Sequence, residues 1–332
     1  MEEYDAIIIG AGLSGCALGK LLLEKKQKVL IIEKEDINKK KLCGGLLTEK
    51  SYKLLNEIYK DEVKRLSFLE INNFSVKSND LTLNFHNKKI YTIYRQDLDK
   101  FVIKQYLKSG GKLVNKIKYK KIDFKNKIIY TNNNKYKYNH LIGADGIFSQ
   151  LRLDLTKKQQ EKNLALETFV KKNNQSLQIE FLNDFKGYIW TIPNDNNTIL
   201  GMGDIFQNIN FKNKFKKHLK SNYKIKGAFL PTGNDILLRK DNVYFVGDAA
   251  GLIFPITGEG IYYALFSAYK LSNNINNNLY QKEMKKEIIK IKKYFYLNKL
   301  VYNYKLRNFL FKKYNKSKII TKLINKFIKE IL

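Results

Sequence analysis

The sequence predicts an α/β fold that combines a mostly parallel sheet with an antiparallel one, and three observations carry this prediction. Residues 5–34 read as an apolar strand, a glycine-rich turn, a helix and a second apolar strand. Residues 164–206 hold short strand-like runs separated by Asn, Asp and Gly turns, which is typical of an antiparallel sheet. Residues 243–251 return to an apolar strand followed by a glycine turn, and helical patterning continues to the end.

The glycine-rich turn GAGLSG follows the first strand and opens a helix, with the spacing G-x-G-x-x-G. The first two glycines allow a tight turn and close approach to a pyrophosphate, and the third allows close packing of helix on strand. An acid ends the second strand, eighteen residues after the last glycine, where it can accept from ribose hydroxyls. We therefore predict a Rossmann-like dinucleotide site that includes Gly10, Gly12, Leu13, Ser14, Gly15, Glu33 and Lys34.

The remaining elements divide the chain into three parts. Helix-like segments follow the glycine unit, and strand-like segments cluster before residue 91 and after residue 156. We predict a discontinuous nucleotide-binding domain over residues 1–66, 92–155 and 236–275. The antiparallel-sheet substrate domain is predicted over residues 67–91 and 156–235, and a basic helical C-terminal region over residues 276–332.

The formal net charge of +31 raises the question of an anionic partner. Lys is spread along the whole chain together with Asn, Ile and Tyr, so we interpret the charge as a compositional bias that gives a solvated basic surface. Nucleic acid is therefore not favoured as a partner. Residues 282–332 hold sixteen Lys or Arg against three acids, with apolar residues between them. This region predicts either peripheral association with an anionic membrane or helices packed on their own domain.

Several features point to a cytoplasmic protein. Cys16 and Cys43 are too few for a disulfide framework, and Cys16, on the first helix, is interpreted as a packing residue. The N-terminus begins with acids, unlike a signal peptide. A window of about 18 uninterrupted apolar residues, which a membrane span needs, is not found.

The segment VYFVGDAAGLIFPITGEGIYYALFSA, residues 243–268, carries two acids in apolar surroundings. Burying an unpaired charge costs several kcal/mol, so Asp248 and Glu259 need partners. Asp248 follows a strand whose carboxyl end is where ligands bind in such sheets. Glu259 is expected in the first turn of a helix, where a carboxylate complements the helix dipole.

Later segments decide between NAD and FAD, because the glycine turn is shared by both. LIGADGIFSQLR and FVGDAAG with TGEG resemble the two later FAD signatures of flavoproteins of the p-hydroxybenzoate hydroxylase type. The resemblance implies that Asp248 binds ribityl hydroxyls and that Asp145, followed by Gly146, holds the loop near the pyrophosphate. YRQDLDKFV resembles the arginine segment of that family and implies a cofactor role for Arg95.

More specifically, the sequence resembles the geranylgeranyl reductase family of FAD-dependent oxidoreductases. The matching motifs are K-x-C-G-G at Lys41 to Gly45, Y-x-W-x-[FI]-P at Tyr188 to Pro193, and G-D-A-A-G-x-x-x-P-x-T-G-E-G-I at Gly247 to Ile261. Enzymes of this family use reduced FAD to saturate double bonds of polyprenyl chains. The chain is shorter than typical lipid-reducing members, and the region after residue 270 matches no motif of the family.

The resemblance implies a role for each motif. FAD is the expected cofactor and Cys43, Gly44 and Gly45 the catalytic segment; Tyr188, Trp190 and Pro193 are expected at the hydrophobic substrate. Further cofactor-binding residues are implied at Lys41, Cys43, Gly44, Gly247, Pro255, Gly258, Gly260 and Ile261. A tight turn at Cys43 and a core position for Trp190 remain the structural alternatives.

Three functions stay open on the sequence. The first is a reductase supplied with electrons by NAD(P)H or a ferredoxin-like protein. The second is a flavin-dependent monooxygenase or halogenase, since halogenases carry W-x-W-x-I-P and YIWTIP differs only at its first aromatic residue. The third is a non-enzymatic flavoprotein that binds lipid or nucleic acid through its basic C-terminal region. His86, His140 and His218 stand apart from other ligand-type residues, so no metal is predicted.

Overall fold

The computed structural model describes residues 1–171, 176–195, 197–204, 210–219 and 223–331. Over these residues the helices are α1 (Leu13–Glu24), α2 (Glu49–Tyr59), α3 (Arg95–Lys108), α4 (Gln150–Thr156), α5 (Phe211–Leu219), α6 (Ile261–Asn274), α7 (Tyr280–Val301), α8 (Tyr304–Lys313) and α9 (Lys318–Ile331). Short 3₁₀ turns cover Lys60–Arg65 and Gly247–Ala250.

The strands over the same residues are β1 (Glu2–Ile9), β2 (Val29–Ile32), β3 (Leu46–Thr48), β4 (Leu69–Ile71), β5 (Phe74–Ser78), β6 (Leu81–Phe85), β7 (Ile90–Thr92), β8 (Lys112–Val114), β9 (Lys121–Asp123), β10 (Ile128–Tyr130), β11 (Lys135–Gly143), β12 (Lys162–Val170), β13 (Leu177–Phe181), β14 (Gly187–Asn194), β15 (Asn197–Asp204), β16 (Lys226–Pro231), β17 (Arg239–Lys240) and β18 (Val243–Phe245).

The first sheet is built on a parallel core. Its main path within the described residues is β17-β18-β11-β1-β2-β8, and β9 and β10 extend it as an antiparallel hairpin beside β11. The strands β18, β11, β1, β2 and β8 run parallel to their neighbours along this path. Such strands are covered on both faces and are therefore continuous apolar runs. The central stretches Ile7–Ile9 and Leu30–Ile32 are buried accordingly.

The second sheet follows the order β16-β12-β15-β14-β13-β5-β6 within the described residues. All its neighbours are antiparallel except β13 and β5, which run parallel. A small antiparallel sheet is formed by β3, β7 and β4, in that order. The predicted α/β fold with an inserted antiparallel sheet and C-terminal helices is confirmed, while the residue bounds of the predicted domains remain a proposal.

The C-terminal helices are fastened to the body of the protein by buried polar side chains. Arg307 of α8 is 4% exposed and donates to the Ser78 hydroxyl (2.8 Å) and to the carbonyls of Val301 and Leu182. The Tyr302 hydroxyl donates to the carbonyl of Ile256 at 3.1 Å. This region is thus packed on its own protein, as one of the two sequence interpretations expected.

Candidate cofactor and active site

The glycine turn has the geometry that a dinucleotide needs. Gly10 has φ +109°, and a β-carbon there would lie 2.4 Å from the Ala144 carbonyl oxygen. A β-carbon on Gly15 would lie 2.1 Å from the Gly10 carbonyl oxygen, so this glycine lets α1 approach β1. Gly12 differs, because no described atom lies within 4 Å of a β-carbon built on it. Two glycines therefore serve chain packing, and one faces open space at the N-terminus of α1.

Glu33 follows β2 and binds the glycine turn. One of its carboxylate oxygens accepts from the Ala11 amide at 2.7 Å, and the other accepts from the Glu35 amide at 2.8 Å. The carboxylate therefore fixes the turn and the start of the next loop relative to each other. Glu33 and Lys34 both line the cleft described below.

Asp248 lies in the 3₁₀ turn after β18, opposite Lys41. The Lys41 ammonium is 3.3 Å from the Asp248 carboxylate, and the Asp248 carbonyl accepts from the Gln160 amide at 3.0 Å. The preceding residue, Gly247, donates its amide to Ser267, and a β-carbon on it would meet the Ser14 hydroxyl at 2.8 Å. The first and last cofactor motifs of the sequence thus meet in space.

Asp145 serves the helix that follows it. It is half-buried, and one of its oxygens accepts from the amides of Gln150 (2.8 Å) and Leu151 (3.4 Å) at the N-terminus of α4. Its other oxygen, Oδ1, is buried and has no hydrogen-bond partner among the described residues. Burial raises the pKa of this carboxyl group above its usual value. These hydrogen bonds tie Asp145 to the start of α4, and its role near the pyrophosphate remains a proposal.

The turn Cys43–Gly45 packs between α3 and the second sheet. Gly45 has φ +64°, and a β-carbon on it would lie 1.9 Å from the Ile93 carbonyl oxygen. The Arg95 guanidinium donates to Asp99 at 2.9 Å and also contacts the Cys43 side chain. Burial alone would lower the pKa of Arg95, but Asp99 and Cys43 act in the opposite direction and the net shift is upward. The predicted catalytic turn is therefore held by a buried cation.

Two aromatic side chains of β14 lie next to each other, and one of them, Trp190, lies beside Gly44 of this turn. The rings of Tyr188 and Trp190 have centroids 5.5 Å apart, and Trp190 is 8% exposed. A β-carbon on Gly201 would collide with the indole at 2.1 Å, so this glycine of β15 makes room for Trp190. The Tyr188 hydroxyl donates to the Thr257 carbonyl, next to Gly258. The face formed by Tyr188 and Trp190 is called the aromatic face below.

Glu167 of β12 is a site residue that the sequence reasoning missed. It is 4% exposed and lies beside the Trp190 indole N–H and the Gly44 amide. A β-carbon on Gly44 would be 3.5 Å from Glu167 Oε1, and Oε2 is buried with no hydrogen-bond partner among the described residues. Burial raises the pKa of Glu167 to about 7, although Trp190 and Gly44 oppose the shift. Its signal in the sequence was only an acid inside an apolar strand.

The expectation for Glu259 is corrected. It lies two residues before α6 rather than in its first turn. Its carboxylate accepts from the hydroxyls of Thr48 (2.5 Å) and Ser51 (2.8 Å) and pairs with Lys50 at 2.9 Å. Since Thr48 is the N-cap of α2, the acid joins the turn before α6 to the start of another helix. Tertiary contacts, and not the dipole of α6, satisfy its charge.

Of the remaining predicted residues, one lies near the cofactor cleft and the others are buried or lie elsewhere. Gly260 lies near Asp248, whose Oδ1 would be 3.5 Å from a β-carbon there. Pro255 is buried against Gly233, and Ile261 begins α6 and is buried. Pro193 is not brought to the aromatic face, because odd and even positions of a strand point to opposite sides. Its carbonyl accepts from Thr92 at 2.9 Å.

A cleft of about 350 Å³ joins several of these residues. Eight predicted cofactor residues line this cleft, namely Gly10, Gly12, Glu33, Lys34, Lys41, Arg95, Asp145 and Asp248. The lining holds six basic and six acidic side chains, and Lys39 and Lys41 are paired with Glu35 and Asp248. The backbone N–H groups at the N-terminus of α1 are the groups that would attract a pyrophosphate. The open space at Gly12 and the unpartnered oxygen of Asp145 also fit a dinucleotide such as FAD.

Over the described ranges, no group of three or more His, Cys, Asp or Glu side chains is placed to hold a metal ion. His86 lies 3.0 Å from Asn73, and His140 lies 3.2 Å from Asn276. Among the described helices, none is long and apolar enough to cross a membrane.

Related protein sequences align with most of this chain. Protein CbrA of Escherichia coli is 30% identical over 81% of this chain and 80% of its own length. An uncharacterized protein of Methanosarcina barkeri is 29% identical over 91% of this chain and 84% of its own. Digeranylgeranylglycerophospholipid reductase of Methanocaldococcus jannaschii is 24% identical over 80% of this chain and 74% of its own. No protein-family model matches the chain.

Solved structures show the same fold. A geranylgeranyl bacteriochlorophyll reductase-like protein of Thermoplasma acidophilum has a TM-score of 0.71 at 21% identity, covering 90% of this chain and 86% of its own. PqsL of Pseudomonas aeruginosa, described as a probable FAD-dependent monooxygenase, has a TM-score of 0.73 at 15% identity, with 92% and 98% covered. The halogenase PltM, solved with FAD, has a TM-score of 0.67 at 19% identity, with 86% and 72% covered.

The fold and the cleft define a flavoprotein of the p-hydroxybenzoate hydroxylase type, which confirms the predicted class. The chain belongs to the same family as CbrA of Escherichia coli, and the resemblance to geranylgeranyl reductases that its motifs predicted is confirmed by relatives named as such reductases. FAD, the cofactor predicted from the sequence, is the cofactor of this class.

Proposed function

We propose that this protein reduces carbon–carbon double bonds of a hydrophobic, isoprenoid-type substrate with electrons from reduced FAD. The observation that carries the proposal is the aromatic face of β14, whose Trp190 indole lies beside Gly44 of the Cys43–Gly45 turn. Two relatives are named as reductases of a digeranylgeranylglycerophospholipid, which supports a polyprenyl substrate. An apolar, aromatic surface beside the cofactor suits a substrate that has few polar groups.

We assign the two ends of FAD to different parts of the site. The turn Gly10–Gly15 with Glu33 and Lys34 would bind the adenosine and pyrophosphate end, and Arg95 and Asp145 would support it. Asp248, held by Lys41, would bind ribityl hydroxyls. The turns at Cys43–Gly45 and Gly258–Ile261 would flank the flavin ring. Bound there, reduced FAD supplies a hydride, and the protein supplies orientation and exclusion of water.

A monooxygenase or halogenase is the second candidate function. Proteins of both types share this fold, and YIWTIP is close to the halogenase pattern W-x-W-x-I-P. The tyrosine in place of the first tryptophan and the K-x-C-G-G segment favour the reductase.

The two functions are separated by anaerobic photoreduction of the FAD-loaded protein followed by addition of a polyprenyl alkene. The reductase predicts reoxidation of the flavin and a product with two more hydrogens. Oxygen-dependent formation of a hydroxylated or halogenated product, without reoxidation by the alkene, would instead establish the second function.

The electron donor is proposed to be NAD(P)H or an acidic ferredoxin-like protein. The net charge of +31 would steer an acidic protein donor toward the surface. For such a donor, the rate of flavin reduction should fall as salt rises from 0.05 M to about 0.5 M, because exposed charges are then screened. A rate that does not change with salt excludes steering and favours NAD(P)H.

Peripheral binding to an anionic membrane is proposed for the surface of α7, α8 and α9. This surface exposes apolar residues, including Phe309 (53%), Ile319 (82%) and Leu323 (56%), among the lysines of the C-terminal region. Buried apolar side chains and lysines together hold amphipathic helices on anionic lipid. The test is co-sedimentation of the FAD-loaded protein with vesicles containing phosphatidylserine.

For this test Ile319→Glu with Leu323→Glu should abolish co-sedimentation, and vesicles of phosphatidylcholine alone should bind weakly. Both side chains are exposed, so the double variant should keep its thermal stability. Equal sedimentation of the variant and the original protein would refute membrane binding through α9.

A further inference from the structure

We propose that Glu167 is the acid that protonates the alkene carbon during reduction, an inference that rests on the proposed function. A hydride alone cannot saturate a double bond, because the second carbon needs a proton. The sequence motifs of the family match no acid at the aromatic face. Glu167 is the carboxyl group that the structure places there.

The position of Glu167 relates it to both partners of the proposed reaction. Its side chain lies beside the Gly44 backbone, which the proposed function assigns to the flavin, and beside the Trp190 indole, which it assigns to the substrate. Oε2 is buried and has no hydrogen-bond partner among the described residues, so its hydrogen-bonding capacity is unused. A buried polar atom without a partner costs free energy, and its presence therefore calls for a functional reason.

The surroundings keep a substantial fraction of Glu167 in its acid form near neutral pH. Burial disfavours the carboxylate and raises the pKa to about 7, which is close to the best value for an acid that acts at physiological pH. The titratable groups on the neighbouring elements are Tyr188 of β14, Cys43 of the Cys43–Gly45 turn, and Lys226 of β16. Lys226 is the strand partner of Glu167 in the register of β12 and β16, but its side chain is exposed. The Lys226 ammonium is not among the groups that shift the Glu167 pKa.

The reaction balances with Glu167 as donor. Its O–H bond breaks as a C–H bond forms on one alkene carbon, and the other carbon receives the hydride that reduced FAD supplies. The π bond is lost, the alkene gains two electrons and the flavin loses two. The Glu167 carboxylate then regains a proton from water before the next turnover.

The first test does not depend on turnover. Trp190 is the only tryptophan of the chain, so tryptophan fluorescence of the FAD-loaded protein reports the environment of Glu167. We expect a fluorescence transition with a midpoint near pH 7, which is absent in Glu167→Gln. Glu180→Gln, on β13 of the same sheet, is the matched control and should keep the transition. No transition near this pH, or the same transition in Glu167→Gln, would refute the assignment of the acid.

The second test follows single-turnover reoxidation of the photoreduced flavin by a polyprenyl alkene. Glu167→Gln should slow this step by about 100-fold or more, the usual contribution of general acid catalysis, and remove its decline above pH 7. Glu167→Asp should restore part of the rate, and photoreduction itself should be unchanged. An unchanged rate in Glu167→Gln refutes the proton donor but leaves the reductase in place. No alkene reduction by the original protein refutes the proposed function, and the fluorescence titration still tests the acid.

Discussion

The two ends of the proposed FAD site are built in different ways. The end at Gly10–Gly15 is made of backbone, with one carboxylate that fastens the turn through amide hydrogen bonds. The end at the aromatic face is made of side chains from β12 and β14, strands that are far in sequence from the glycine turn. Backbone requirements restrict the residues at fixed spacing, so the first end has a motif. The second end depends on which strands become neighbours.

The strongest test of this difference concerns two glycines of one turn. Gly15→Ala should destabilise folding by at least about 3 kcal/mol, because its β-carbon would lie 2.1 Å from the Gly10 carbonyl oxygen. That oxygen belongs to packed backbone, which cannot move away without disrupting the turn. Gly12→Ala is the control and should leave the free energy of unfolding within about 1 kcal/mol while weakening FAD binding. Urea unfolding of the FAD-free chains measures the free energy of unfolding, and titration with FAD measures the affinity for the cofactor. Equal destabilisation by the two variants would remove the distinction between packing and ligand-facing glycines.

The aromatic end should respond to pH through Glu167. Its folded pKa, about 7, lies above the usual 4.5, so the native state binds the extra proton between these values and its stability falls as pH rises through this window. The loss should reach about 3 kcal/mol above pH 8, on the scale of 1.36 kcal/mol for each pH unit. Glu167→Gln should abolish this loss in urea unfolding at pH 5 and pH 8.5. A slope that persists in the variant would assign the titration elsewhere.

The two acids of the segment 243–268 should separate binding from folding. Asp248→Ala should weaken FAD binding by about 10- to 100-fold, the scale of hydrogen bonds to a charged group, with little loss of stability. Glu259→Gln should keep FAD affinity within about threefold but destabilise folding by about 1–3 kcal/mol, because it disturbs buried hydrogen bonds to Thr48 and Ser51. Fluorescence titration with FAD and thermal unfolding give the two values. The reverse order would overturn the assignment of Asp248 to the cofactor.

The smallest effect is expected for Lys41. Its ammonium is about half exposed, so its ion pair with Asp248 should contribute less than about 1 kcal/mol. Lys41→Gln should therefore raise the dissociation constant of FAD by less than about fivefold, and more at low salt than at high salt. A loss as large as that of Asp248→Ala would show that Lys41 binds the cofactor directly.

The sequence predicted the parts of the site that depend on local backbone chemistry. The glycine turn, the Asp145 loop and the Asp248 turn were each visible because a fixed conformation restricts a short stretch of residues. Glu167 was not visible, because an acid in a β-strand usually faces water and only the pairing of β12, β15 and β14 places it beside Trp190. The partners of Glu259 were missed for the same reason, since Thr48 and Ser51 lie more than 200 residues away.

The hydrogen bond from Tyr302 connects the C-terminal region to the aromatic face. Tyr302 holds the carbonyl of Ile256, and Tyr188 of the aromatic face holds the carbonyl of the next residue, Thr257. The ring of Phe181 lies between them, 5.8 Å from Tyr302 and 6.1 Å from Tyr188 by centroid. A shift of the junction between α7 and α8, where Tyr302 lies, would therefore act on the first of two consecutive peptide groups, the second of which is bound by the aromatic face. Deletion of the C-terminal region would remove this hydrogen bond from the proposed active site. Substitutions of exposed residues in the C-terminal region are therefore the better way to study what that region binds.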